Sequence, residues 1–251
     1  MKASIHFLIC SLLLIGAAQA QQTEGVVNYT RKTYWSKIIT RMTFLSQEEK
    51  DRSAQIRKNW EEDNKGEKMK MTFNANESLY TYGDLGSTED GGYSWRNSEL
   101  KLYRNFEKDK KTDIIEMLGK TYVVEDSLHT PTWKIGNQIK DVAGYVCMKA
   151  ETEDPIKKQK ITAWFAQDIP VPAGPERYNG LPGVILELDL NNGDVVIEAT
   201  SVALKKVTPD DLKLPKTKGK KINDTSYDAL IRQHIAESMT SQRNPYWAIR
   251  Y

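Results

Sequence analysis

Cys147 is the only cysteine beyond residue 20, in the run Val142-Ala-Gly-Tyr-Val-Cys-Met-Lys149. In an extended chain Tyr145, Cys147 and Lys149 share one face. An ammonium beside a thiol lowers its pKa toward the reactive thiolate, so this is a nucleophile with a candidate activator. The competing reading is a buried cysteine serving as a small apolar side chain, the commoner state of an unpaired thiol. A second set of chemical groups belongs to the sixteen residues Asp168-Ile-Pro-Val-Pro-Ala-Gly-Pro-Glu-Arg-Tyr-Asn-Gly-Leu-Pro-Gly183. Asp168, Glu176, Arg177 and Tyr178 offer two carboxylates, a guanidinium and a phenol, and Trp164 lies just upstream. The candidate binding residues are therefore Asp168, Glu176, Arg177, Tyr178, Trp164, Tyr145 and Cys147. No residue is assigned a catalytic role.

Other chemistries find less support. Beyond residue 20 the two histidines, His129 and His234, stand far from each other and from Cys147, whereas zinc and copper sites gather such ligands. Of two acidic stretches that resemble calcium loops, the first has Lys65 where an oxygen ligand is needed. The second, ending at Asp194, has its glycine one position late. No metal or cofactor is expected. There is no G-x-S-x-G elbow, P-loop or dinucleotide fingerprint, and nothing singles out one carboxylate pair for glycoside hydrolysis.

The elements that must position these groups read as strands. From Gly25 to Val207 short β-branched and aromatic runs alternate with turn residues. Val26–Thr33 and Lys37–Phe44 are strand-like, and Ser46 with Glu49 forms a capping box that opens a helix toward Trp60. Asn74 to Glu77 joins a hairpin, and Gly83 to Gly92 is a polar loop. Further runs span 102–106, 112–118, 120–124, 132–135, 142–151 and 158–165. Leu186, Leu188 and Leu190 alternate with Glu187 and Asp189 before Asn191-Asn-Gly193, the pattern of an antiparallel hairpin with one covered face. Lys205–Lys221 holds seven lysines and reads as an extended basic linker. Thr225 then caps a helix whose stripe of Tyr227, Leu230, Ile231, His234, Ile235 and Met239 covers the sheet, and the aromatic tail from Pro245 docks beside it. Four prolines and three glycines stiffen the 168–183 loop. It either plugs the core with Ile169, Val171 and Leu181 or rims a pocket. Its Leu181-Pro-Gly-Val184 has the composition of a type II turn, with Gly183 supplying a positive φ.

The ends of the chain bound where it works. Lys2, the apolar run from Phe7 to Ile15 and Ala18-Gln-Ala20 form a signal peptide over residues 1–20. Cys10 lies within the apolar core of that signal and so is no lipid anchor. No later run approaches the ~20 apolar residues of a transmembrane helix. Removing the one lysine of the signal from 36 leaves 35 basic against 34 acidic residues, a balance with no field to attract nucleic acid.

Gly180-Leu-Pro-Gly-Val-Ile185 resembles the motif of the GLPGLI family of exported Bacteroidetes proteins, with Val184 in place of its leucine. Phe73-Asn-Ala-Asn-Glu-Ser-Leu-Tyr80, Trp133-Lys-Ile135, Gly144-Tyr-Val-Cys-Met-Lys-Ala150, Ala163-Trp-Phe165, Asp168-Ile-Pro170 and Gly174-Pro175 extend the resemblance over roughly residues 70–203. It implies an exported β-rich domain of unknown activity, similar in outline to curved-sheet periplasmic carriers, and carries over no catalytic residue. The expected fold is mainly β: a curved antiparallel sheet or half-barrel meander over residues 21–207, with the linker, helix and tail of 208–251 packed on it. The expected role is a non-catalytic envelope binding or accessory protein. It would carry an apolar or peptide-like ligand, or assist an outer-membrane or envelope protein. The alternatives are a thiol-dependent or hydrolytic envelope enzyme and a purely structural interaction module.

Overall fold

The computed structural model describes residues 22–62, 64–83 and 99–251. The expected signal peptide, and the polar loop from residue 84 on, lie outside the described residues. After β1 (Gly25–Thr33) come two helices, α1 (Trp35–Thr40) and α2 (Gln47–Glu62). The strands then run β2 (Glu67–Phe73), β3 (Glu77–Tyr82), β4 (Leu100–Asn105), β5 (Lys110–Met117) and β6 (Lys120–Ser127). They continue with β7 (Lys134–Val142), β8 (Tyr145–Asp154), β9 (Gln159–Ala166), β10 (Val184–Leu190) and β11 (Val195–Leu204). A short β12 (Lys220–Ile222) precedes the C-terminal helix α3 (Asp224–Thr240).

Among the described residues these strands form one open sheet in the order β12-β6-β5-β4-β3-β2-β1-β11-β10-β9-β8-β7, with β12 and β7 as edges. All pairings are antiparallel except β12 with β6. The sheet is mainly β in class, is not closed into a barrel, and carries α3 against it. Its curvature is visible in what it brings together. Leu102 of β4 and Leu190 of β10 line one cavity, although they lie five strands apart in the sheet order. In a flat sheet five spacings would hold them about 24 Å apart.

Local chemistry explains most of the elements. Ser46 and Glu49 exchange the two hydrogen bonds of a capping box at the start of α2. Leu186, Leu188 and Leu190 are buried while Glu187 and Asp189 are not fully so. Asn191, Asn192 and Gly193 all take the positive φ that their hairpin needs.

Several expectations are corrected. Lys37–Phe44 is not a strand: α1 occupies its first part and buries Ile38 and Ile39. Their β-branched character favours a strand, but the apolar neighbours they reach as a helix outweigh a propensity worth only tenths of a kcal/mol. The 142–151 run is divided: Ala143 and Gly144, at φ 51° and 82°, turn the chain between β7 and β8. Asn223, not Thr225, caps α3, accepting from the backbone N–H of Ser226. The basic linker is pinned to the sheet: Leu212, in a 3-10 turn at Pro209–Leu212, packs with Leu79 and Val207, and β12 pairs with β6.

Candidate functional site

The loop after β9 is ordered by its own backbone. Val184 N–H donates to the Ile169 carbonyl at 3.0 Å, Ile185 N–H to that of Ala173 at 2.9 Å, and Gly180 N–H to that of Pro172 at 2.9 Å. Prolines lower the entropy lost in fixing this path. The two readings of the loop divide between its parts. Ile169, Val171, Ala173 and Leu181 are completely or almost completely buried and plug the core. Glu176, Arg177, Tyr178 and Asn179 line a cleft.

The expected type II turn at Gly183 is corrected. Its φ is not positive; the positive values fall at Glu176 (57°) and Gly180 (88°). Gly183 is required by crowding instead, since a Cβ there would stand 2.1 Å from the Ala166 carbonyl oxygen.

Glu176 lies at the centre of a buried ion cluster. Arg250 grips its carboxylate with both Nε and Nη2, at 2.6 to 3.0 Å. Arg31 Nε stands 3.4 Å from Oε1. Burial alone would raise the Glu176 carboxyl, but Arg250, Arg31 and Lys157 hold it below the usual carboxylate range. Next to it Arg177 donates to Asp228 at 3.0 Å and Asp224 at 2.9 Å. Lys111 also donates to Asp224, at 2.6 Å. These contacts tie the loop to β5, α3 and the C-terminal tail. Trp133 braces the loop: its indole N–H donates to the Asn179 carbonyl at 2.8 Å, and its ring meets Tyr178 edge-on.

The cleft measures about 680 Å³. Leu100, Leu102, Ile115, Leu190, Ile231 and Ile249 give it apolar walls. A second cavity of about 500 Å³ lies on the other side of the tail. Leu100, Ile115, Ile249, Arg250 and Tyr251 line both, so the tail, with β4 and β5, stands between them. Tyr251 is held at its phenol by Asp194 and by Asn191.

The remaining candidates stand elsewhere: Asp168, Trp164, Tyr145 and Cys147 line neither cavity. Trp164 lies under the Lys140 ammonium, 4.6 Å from its ring centroid. Cys147 is fully buried opposite Ala166 and Lys140. Desolvation, reinforced by Asp141 and Glu187, pushes its thiol up to about 12. Lys149, the expected activator, pairs with Glu151 at 3.0 Å instead. Native protein at pH 8 is therefore expected to resist iodoacetamide for hours and to alkylate at once in denaturant; mass spectrometry reads both. Rapid native labelling would contradict the burial. His234 lies 3.0 Å from the Pro245 carbonyl and helps to anchor the tail. Among the described residues no group of three or more His, Cys, Asp and Glu is placed to hold a metal ion.

Sequence reasoning did not single out Arg250, Asp224, Lys157 or Asn179, and read Asp228 only as the capping partner of Thr225. Arg250 had a signal, as the only charge in a tail too aromatic to be left in solvent. The others carried none, because these partners lie 46 or more residues away.

No curated protein matches this chain. Two solved structures of PNGF-II, in space groups P21 and C2, share its fold with TM-scores of 0.55 and 0.53 at 14% and 15% identity. The alignments cover 83% and 82% of this chain but only 33% and 32% of theirs, so the chain spans about a third of their length and the likeness concerns the fold alone. A family described as a protein of unknown function, Porph_ging, matches residues 151–187, from β8 through the proline loop into β10.

Proposed function

We propose that this is an exported, non-catalytic binding or accessory protein of a Gram-negative envelope whose cleft takes an apolar or peptide-like ligand. The carrying observation is the cleft itself. Its volume of about 680 Å³ is that of a small-molecule site, and its lining combines apolar walls with many charged side chains. The apparent signal peptide and the resemblance to GLPGLI proteins support the envelope setting, where an outer-membrane or envelope protein is the expected partner.

Native mass spectrometry of protein isolated from the envelope tests the reading. A ligand retained by the wild type and lost from Leu102→Trp, which fills the cleft, is the expected result. Repeated isolation of homogeneous, unliganded wild-type protein would sink it.

A further inference from the structure

Lys157, in the turn between β8 and β9, lines the cleft. An ammonium has three N–H donors. Here one is used, on the Arg250 carbonyl at 2.9 Å, and among the described residues no carboxylate lies within ion-pair distance. Its neighbourhood holds charges of both signs, Asp154 among them. Arg31, Arg250 and Lys157 surround the buried Glu176; Glu67 adds a second carboxylate, 3.2 Å from Arg31 but partly exposed. Both Glu176 oxygens are taken by Arg250. Lys157 is left with two N–H donors unspent, in a cleft whose lining joins charged groups to the apolar side chains of Leu100, Leu102 and Ile249.

We infer that the cleft binds amphiphiles through a carboxylate on an apolar stem, with the carboxylate paired to Lys157 and the stem against Leu100, Leu102 and Ile249. The inference rests on the ligand-site reading proposed above. A fatty acid and the C-terminus of an apolar peptide share this chemistry. A charge-assisted contact favours the carboxylate over a neutral analogue roughly ten- to a hundredfold. The pH dependence follows. Desolvation lowers the Lys157 pKa to about 8; Asp154 and Glu176 oppose that shift, while Arg177 and Arg31 add to it. The change with pH between 7 and 9.5 is therefore ascribed to Lys157. With a pKa of about 8 and that preference, carboxylate affinity drops roughly seven- to twentyfold over the interval as the ammonium is lost.

Calorimetric titration of the full chain with laurate, dodecanol, and an acetylated leucine tripeptide as free acid and as amide provides the test. Laurate or the free-acid peptide should bind at least tenfold tighter than its neutral counterpart, and which of the two acids binds identifies the source. Lys157→Met should erase that preference while leaving dodecanol binding intact, which also shows that the variant is folded. If Lys157→Met does not fold, Lys157→Gln and the wild-type pH series decide. Equal binding of acids and neutral analogues, or a preference unaffected by the substitution, overturns the role of Lys157 but leaves the ligand site standing. Binding of none of the four overturns both.

Discussion

Arg250→Met is expected to lower the unfolding free energy by about 3–5 kcal/mol, the usual consequence of leaving one partner of a buried ion pair uncompensated. Glu176 is buried, and Arg250 provides its two-pronged partner at 2.6 to 3.0 Å. Glu176→Gln should be as damaging, since it leaves Arg31, Lys157 and Arg250 facing one another without their shared anion. Urea denaturation of the single variants and of the Glu176→Gln/Arg250→Met double variant measures the coupling. The double variant should lose less than the sum of the singles. A loss below about 1 kcal/mol for Arg250→Met would mean that the pair behaves like an exposed one.

The same carboxylate sets an acid limit. The Glu176 pKa lies below its ordinary 4.5 in the folded state. Its contribution is present above that ordinary value and is lost as pH falls toward the folded pKa, because the unfolded chain then binds more protons. Asp113 follows the same course: burial would raise it, but Arg104 and Lys111 hold it below 3.8. The melting temperature should therefore hold near neutrality and decline below about pH 4.5.

Gly183→Ala is expected to cost about 1–3 kcal/mol, at the upper end of that overpacking range. The added methyl would stand 2.1 Å from the Ala166 carbonyl oxygen, and a backbone atom in a paired strand cannot swing aside as a side chain can. Gly119→Ala makes the control: its φ is +70° with nothing within 4 Å, so it carries only the left-handed backbone penalty of about 1 kcal/mol. Thermal unfolding of the two variants separates crowding from backbone strain. A Gly183→Ala protein as stable as the wild type would show that the loop lies further from β9. Displacement of the loop should also weaken ligand retention, since Glu176 to Asn179 ride on it.

The sequence by itself determined the strand-rich class, the position of β10 and its hairpin, the capping box of α2, and the ordered, apolar-anchored character of the loop from Asp168 to Gly183. Each of these rests on a local rule: alternation of side chains, turn residues with positive φ, a cap three residues from its partner. Local rules also misled where tertiary contacts were stronger, at α1 and at Gly183, whose need is for space and not for a left-handed φ. Only the tertiary structure decided which candidate groups meet. Bending of the sheet brings β4 and β10 to one cleft. The tail from Ile249 to Tyr251, with β4 and β5, stands between it and the second cavity, and Arg250 finds Glu176 74 residues away. It also placed Cys147 away from the cleft. The physical reason is range. Propensity and periodicity act over a few residues, whereas a buried charge accepts whichever opposite charge the curved sheet delivers, and no spacing in the chain encodes that partner.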